Sequence, residues 1–186
     1  MLWPNDIFTI QGAMARRMPE KENMKKIAAL VLAFASATSF ADSYDTACGH
    51  IECPAGTKAI TFASKADPYF ACPTKELSDY TAIVIGFVSI QASLTRTMPN
   101  ISPETGEPEY FDGPDGKPNQ SRLLLDAARH AARVRTFDEA ISLCKPGKNK
   151  VHVTVMNNPK DSNSVWVADS KTKTTFWISK GMLNKE

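Results

Sequence analysis

Four cysteines constrain this 186-residue chain more than any other feature: Cys48, Cys53, Cys72 and Cys144 all follow a stretch that reads as a secretory leader. Lys25 and Lys26 supply a positive n-region, Ile27 to Phe34 an apolar h-region, and Ser39 and Ala41 the small residues of a cleavage site. The leader spans 24–41, and residues 1–23 read as an extension ahead of the true start at Met24. No cysteine directly follows the h-region, so the pattern is not that of a lipoprotein. Cleavage after Ala41 leaves 42–186 as a single domain, a length that can bury a core of its own. Export implies a periplasmic or secreted protein of bacterial type, and in that oxidising setting an even cysteine count predicts two disulfides.

Three pairings are possible. A local Cys48–Cys53 bridge leaves Cys72–Cys144, while a crossed arrangement joins Cys53 to Cys72 and Cys48 to Cys144. Either long bridge closes a loop large enough to contribute roughly 4 kcal/mol. A competing reading is a metal: Cys48, His50, Glu52 and Cys53 lie within six residues, and Cys72 completes a tetrahedral set. Oxidation of the thiols, a spacing unlike the usual zinc ligand pairs and the odd Cys144 left over all speak against it. The sequence therefore assigns no metal and no cofactor.

Charge narrows the partners. Five of the 22 basic and three of the 20 acidic residues precede Asp42, so the domain carries 17 of each and no net charge. A neutral body has no global attraction for nucleic acid or anionic lipid. No feature sets an oligomeric state.

Along the domain, Thr57 to Ala63 alternates as a strand and Tyr69 to Cys72 reads as a short return strand. Pro73 sits at the expected first turn of a helix running from Leu77 to Met98, apolar nearly all round. Its uncharged run, Tyr80 to Thr95, is about 24 Å of helix against the ~30 Å of a bilayer core, so a buried central helix is favoured over a membrane span. The segment 99–120 has five prolines, three glycines and five acids and reads as a long surface loop, with Tyr110 and Phe111 either pinning it or facing a partner. Cutting that loop is expected to cost little.

Ser121 is the expected N-cap of a helix over 122–134, with Leu124, Ala127, Ala128, Ala131 and Val134 inward and Arg122, Asp126, Arg129 and Arg133 outward. Thr136 to Glu139 is a capping box opening a short helix that ends at Cys144. Three strands follow, at Val151 to Val155, Ser164 to Ala168 and Thr174 to Ser179. The expected fold is α+β: a small antiparallel sheet, made of the N-terminal strand and the C-terminal meander, packed on two main helices and stabilised by disulfides.

No sequence motif names a chemistry. The expectation is a non-enzymatic protein that binds a protein or cell-envelope component, with Tyr110, Phe111, Arg129, Arg133, Trp166 and Trp177 as candidate partner-binding residues. The competing readings are a small hydrolase using His130 or His152 with a distant carboxylate, and a membrane-tethered component held by the apolar helix. The stretch Gly147 to Val153, then Trp166-Val167, Phe176 to Ser179 and Leu183, resembles the second half of a bacterial SH3-like barrel. The resemblance covers under a quarter of the chain, with helices where the first half would be, and implies binding of cell-wall peptides or partner proteins.

Overall fold

The computed structural model describes residues 46–64, 68–113 and 116–186. The extension at 1–23 and the leader at 24–41 lie outside them. Strict alternation builds the sheet: Val153 and Val155 on β4 (His152–Asn157), Val165 and Val167 on β5 (Ser164–Asp169), and Ile178 on β6 (Thr175–Ser179) point one way and are buried. β1 (Lys58–Thr61) adds Ala59, and β7 (Leu183–Lys185) adds Leu183 after a one-turn 3-10 helix, Lys180–Met182. All pairs are antiparallel, in the order β6-β5-β4-β1-β7, with Ala59 facing Val153 on one side and Lys185 on the other. The residues that resemble part of an SH3-like barrel fall just before and on β4, on β5, on β6 and at the start of β7. The Cys48–Cys53 disulfide lies in this core.

Between β1 and β4 the chain leaves the sheet and makes a helical module. The segment at 69–72 does not return on β1: β2 (Phe70–Ala71) pairs with β3 (Lys145–Pro146), and Cys72 bridges to Trp177 on β6. The Cys72–Cys144 disulfide closes this stem, so the local and long pairing is the one formed. Thr61 and Tyr69 hold the returning chain: both hydroxyls donate to the Lys148 carbonyl, at 2.6 and 2.8 Å. Gly147 is required there, since a Cβ would fall 2.3 Å from the Tyr69 ring.

α1 (Lys75–Thr95) is capped by Thr74, whose hydroxyl accepts from the Leu77 amide at 3.3 Å; Pro73 precedes the cap rather than opening the helix. The helix stops three residues before Met98, because Arg96 turns left-handed (φ 58°) and closes on the Ala92 carbonyl. It packs against β5 and β6 and also against α2 (Gln120–Ala132) and α3 (Phe137–Leu143). Polar contacts fix it to the sheet: the Ser78 and Ser164 hydroxyls lie 2.8 Å apart, and Ser162 donates to both Asp79 oxygens at 2.8 and 2.9 Å. Leu77, Ser78, Tyr80, Thr81 and Val84 are buried, but Ile90 and Leu94 are exposed, so only the first half is a core helix. α1 is long and apolar enough to cross a membrane. In the fold its first half is buried, Phe87 still packs against the helical core, and only Ile90 and Leu94 among its large apolar side chains are exposed.

α2 is rotated from its expected phase. Leu125, not Leu124, is buried, and Asn119 rather than Ser121 is the N-cap, its side chain accepting from the Ser121 amide at 2.9 Å. Ala127 and Ala131 face solvent and Arg129 turns inward. Thr136 caps α3 as expected, Glu139 N–H donating to its Oγ1 at 3.1 Å, but the Glu139 carboxylate accepts from the Arg135 amide rather than from the Thr136 amide of a full capping box.

Loss of the long bridge through Cys144→Ser should cost roughly 2–5 kcal/mol, and Gly147→Ala about 1–3 kcal/mol through the clash with Tyr69. Cleavage between Phe111 and Pro118 should cost less than either. Denaturant melts of the three forms check the ranking.

Candidate partner-binding site

The segment 99–113 is a loop without helix or strand, as expected, and it is held in place by its own hydrogen bonds. Ser102 organises it: its hydroxyl accepts from the Glu104 and Thr105 amides, and its own N–H donates to the Glu107 carbonyl at 2.8 Å. Gly106 takes a positive φ of 72° with Phe137 close against it, and the Phe137 amide donates to the Thr105 carbonyl at 2.7 Å. The product of this turn is a buried carboxylate. Glu107, its side chain 6% exposed, accepts from the Tyr80 hydroxyl at 2.7 Å and from Arg129 Nη1 at 2.9 Å. The other arm of the guanidinium pairs with Asp126. This is why α2 presents Arg129 inward: a carboxylate buried between two helices needs a charged donor.

Burial first, and donation to Glu107 second, holds the Tyr80 hydroxyl well above its ordinary range. It is locked as a neutral donor, and Glu107 and Arg129 are consumed by each other. The network braces the module.

Above it opens a cleft of about 350 Å³ between the loop and the first turns of α2, with Glu104, Glu109, Arg122 and Asp126 among its walls. The aromatic pair divides its labour. Tyr110 packs edge-on against Phe87, ring centroids 5.6 Å apart, and burial raises its hydroxyl pKa. Phe111 is 75% exposed at the rim.

The remaining candidates lie elsewhere. Arg133 is exposed at the left-handed C-cap of α2. Trp166 and Trp177 are direct cross-strand partners, half-buried and stacked at 6.4 Å, on the face opposite Val165, Val167 and Ile178. His130 is exposed on α2, and His152 pairs with Glu186 at an exposed position of β4. Neither histidine lines the cleft beside Phe111. All four cysteine sulfurs are in disulfides, so the cluster around Cys48 has no thiolate for a metal; no three His, Cys, Asp or Glu among the described residues converge on a metal position. The residues that sequence reasoning missed are Glu107, Asp79 and Ser162, whose partners lie 22 to 83 positions away. No protein-family model, curated protein or solved structure matches the chain.

Glu107→Ala leaves the buried Tyr80 hydroxyl without its acceptor and Arg129 with Asp126 alone, and should cost roughly 1–3 kcal/mol. An unfolded tyrosine ionises near pH 10 while Tyr80 stays protonated in the fold, so the unfolded state binds fewer protons and stability declines as pH rises past about 10. Tyr80→Phe should weaken the fold at neutral pH by about 1–3 kcal/mol, leaving Glu107 one donor short, yet flatten that alkaline decline. Urea melts of both variants on each side of pH 10 check these signs.

Proposed function

We propose that this chain is an exported bacterial protein, periplasmic or secreted, that acts by binding another macromolecule, a protein or a cell-envelope component, rather than by catalysis. The observation that carries this reading is Phe111, a large aromatic side chain left 75% exposed beside an open cleft whose floor is locked by Glu107 and Arg129. An exposed aromatic on a braced support is the form of an interface anchor: burying it on contact gains apolar area at low entropic cost. The mixed charge of the cleft walls fits a polar rim. Two disulfides suit an oxidising compartment, and the neutral domain fits a partner other than nucleic acid.

A photo-crosslinking residue at position 111, in the exported protein, should trap a discrete macromolecule in the native envelope fraction. The same residue at position 171, on the exposed β5–β6 turn, should trap none. Equal capture from both positions, or from neither, refutes the reading. Hydrolytic activity abolished by His152→Ala would replace it with the enzymatic one.

A further inference from the structure

The phase of α2 and the course of α1 leave a hollow that the partner-binding reading does not use. Ala82, Ile83, Gly86, Phe87 and Ile90 of α1 form one side of a cavity of about 470 Å³. Leu124 of α2, 48% exposed because its neighbour Leu125 takes the buried position, lines it as well. The remaining wall is the 3-10 turn with Lys180 and Gly181, together with Lys160 and Asn163 from the segment ahead of β5. Hydrocarbon on one side and a basic, polar rim on the other is the lining of a site for an amphiphile.

The charge on this rim has one sign, since Lys160 and Lys180 are the charged residues among those that line the cavity. The Lys180 ammonium donates to the Pro159 carbonyl at 2.7 Å, which pins it beside the residue that precedes Lys160 and leaves it two further protons to donate. The ion pairs among the described residues involve Lys75, Arg122, Arg129 and His152, and neither of these lysines. Asp79, which accepts from the Ser162 hydroxyl behind the rim, is already offset by Lys75 at 3.4 Å. The other end carries no charge. A second hollow, of about 240 Å³, shares Ala82, Gly86, Ile90 and Ser179 with the first and continues to Phe70 and Met182, with no charged residue in its lining. Gly86 belongs to both. Glycine weakens a helix interior, yet a Cβ here would meet no atom within 4 Å, so packing does not demand it. What the bare backbone does is leave the two hollows open to each other.

We propose that the joined hollows hold one linear long-chain carboxylate, its head at Lys160 and Lys180 and its tail laid over Gly86 toward Met182. The passage from a basic rim to an uncharged end sets both the sign of the head and the direction of the tail. A carboxylate fits this rim better than a phosphate monoester does, because the lining supplies two point charges and no arginine fork. The site is separate from the Phe111 rim and stands or falls independently of it.

Isothermal titration of the exported, oxidised protein with dodecanoate, kept below its micellar concentration, tests this. Binding should tighten by about fourfold for each methylene from octanoate to dodecanoate, the gain for taking one CH2 out of water. Lys160→Gln, at an exposed position, and Lys180→Met should each weaken dodecanoate by about tenfold. Dodecyltrimethylammonium, the same chain with a cationic head, should bind far more weakly to the wild type. Gly86→Leu should abolish binding while its thermal midpoint holds or rises, since leucine is the better helix former and its Cβ meets no neighbour. No binding of dodecanoate, equal binding of the cationic chain, or an affinity that neither lysine variant moves overturns the proposal. So does a folded Gly86→Leu that binds as tightly as the wild type, or a clear preference for dodecyl phosphate. A wild type that ignored soluble dodecanoate but pelleted with phosphatidylglycerol vesicles would assign the lysines to a membrane surface and equally overturn it.

Discussion

The bond between Cys72 and Cys144 clamps the short stem by which the helical module leaves the sheet. On one side is a sheet with its own valine-rich core; on the other is a three-helix module with a separate core around Tyr80, Val84 and Leu125. Both cysteines sit at the base of the module, next to the paired β2 and β3, and Cys72 also pairs in backbone register with Trp177 on β6. The covalent link is therefore anchored to the sheet at the point where the module departs. Without it, the stem itself would rest on two strands of two residues each, too short for stable pairing on their own.

α1 carries the second connection, and it does so with polar groups. Helix-to-sheet contact is ordinarily apolar, but Ser78, Asp79, Ser162 and Ser164 place a small hydrogen-bonded seam between α1 and β5. Such a seam is directional where apolar packing is not, so it sets the rotation of the helix about its own axis. That rotation decides which α1 residues meet α2 and which are left outside. The inward turn of Arg129 on α2 and the burial of Glu107 follow from the same geometry, because Tyr80 reaches Glu107 only when Ser78 faces the sheet.

Local signals in the sequence carried much of this. The alternating valines of β4, the Thr136 N-cap and the helical period of α1 each depend on neighbours a few residues apart, and each appears where it is expected. The phase of α2 was not legible, because Leu123, Leu124 and Leu125 are consecutive and any one of them can lead the buried stripe. Nor was the half-exposure of α1: a helix apolar on all sides gives no hint of where its cover ends. At the candidate site the aromatic pair was visible, but not its division into a packed Tyr110 and an exposed Phe111. The network around Glu107 left no trace, since contacts 22 and 27 positions apart follow no period and a glutamate in a proline-rich acidic stretch reads as solvated.

The insertion of the helices between β1 and β4 also bears on the order in which the molecule assembles. Lys58 on β1 meets Thr154 on β4, a separation of 96 residues, so the central pairing of the sheet is among the most non-local contacts in the chain. Non-local pairing is slow, because the entropy of closing the loop is spent before any contact repays it. Joining Cys72 to Cys144 short-circuits that loop, leaving only the segments 62–71 and 145–151 to be closed. Oxidation thus converts a distant strand pairing into a nearly local one, and the rate at which the sheet closes becomes coupled to the supply of oxidant.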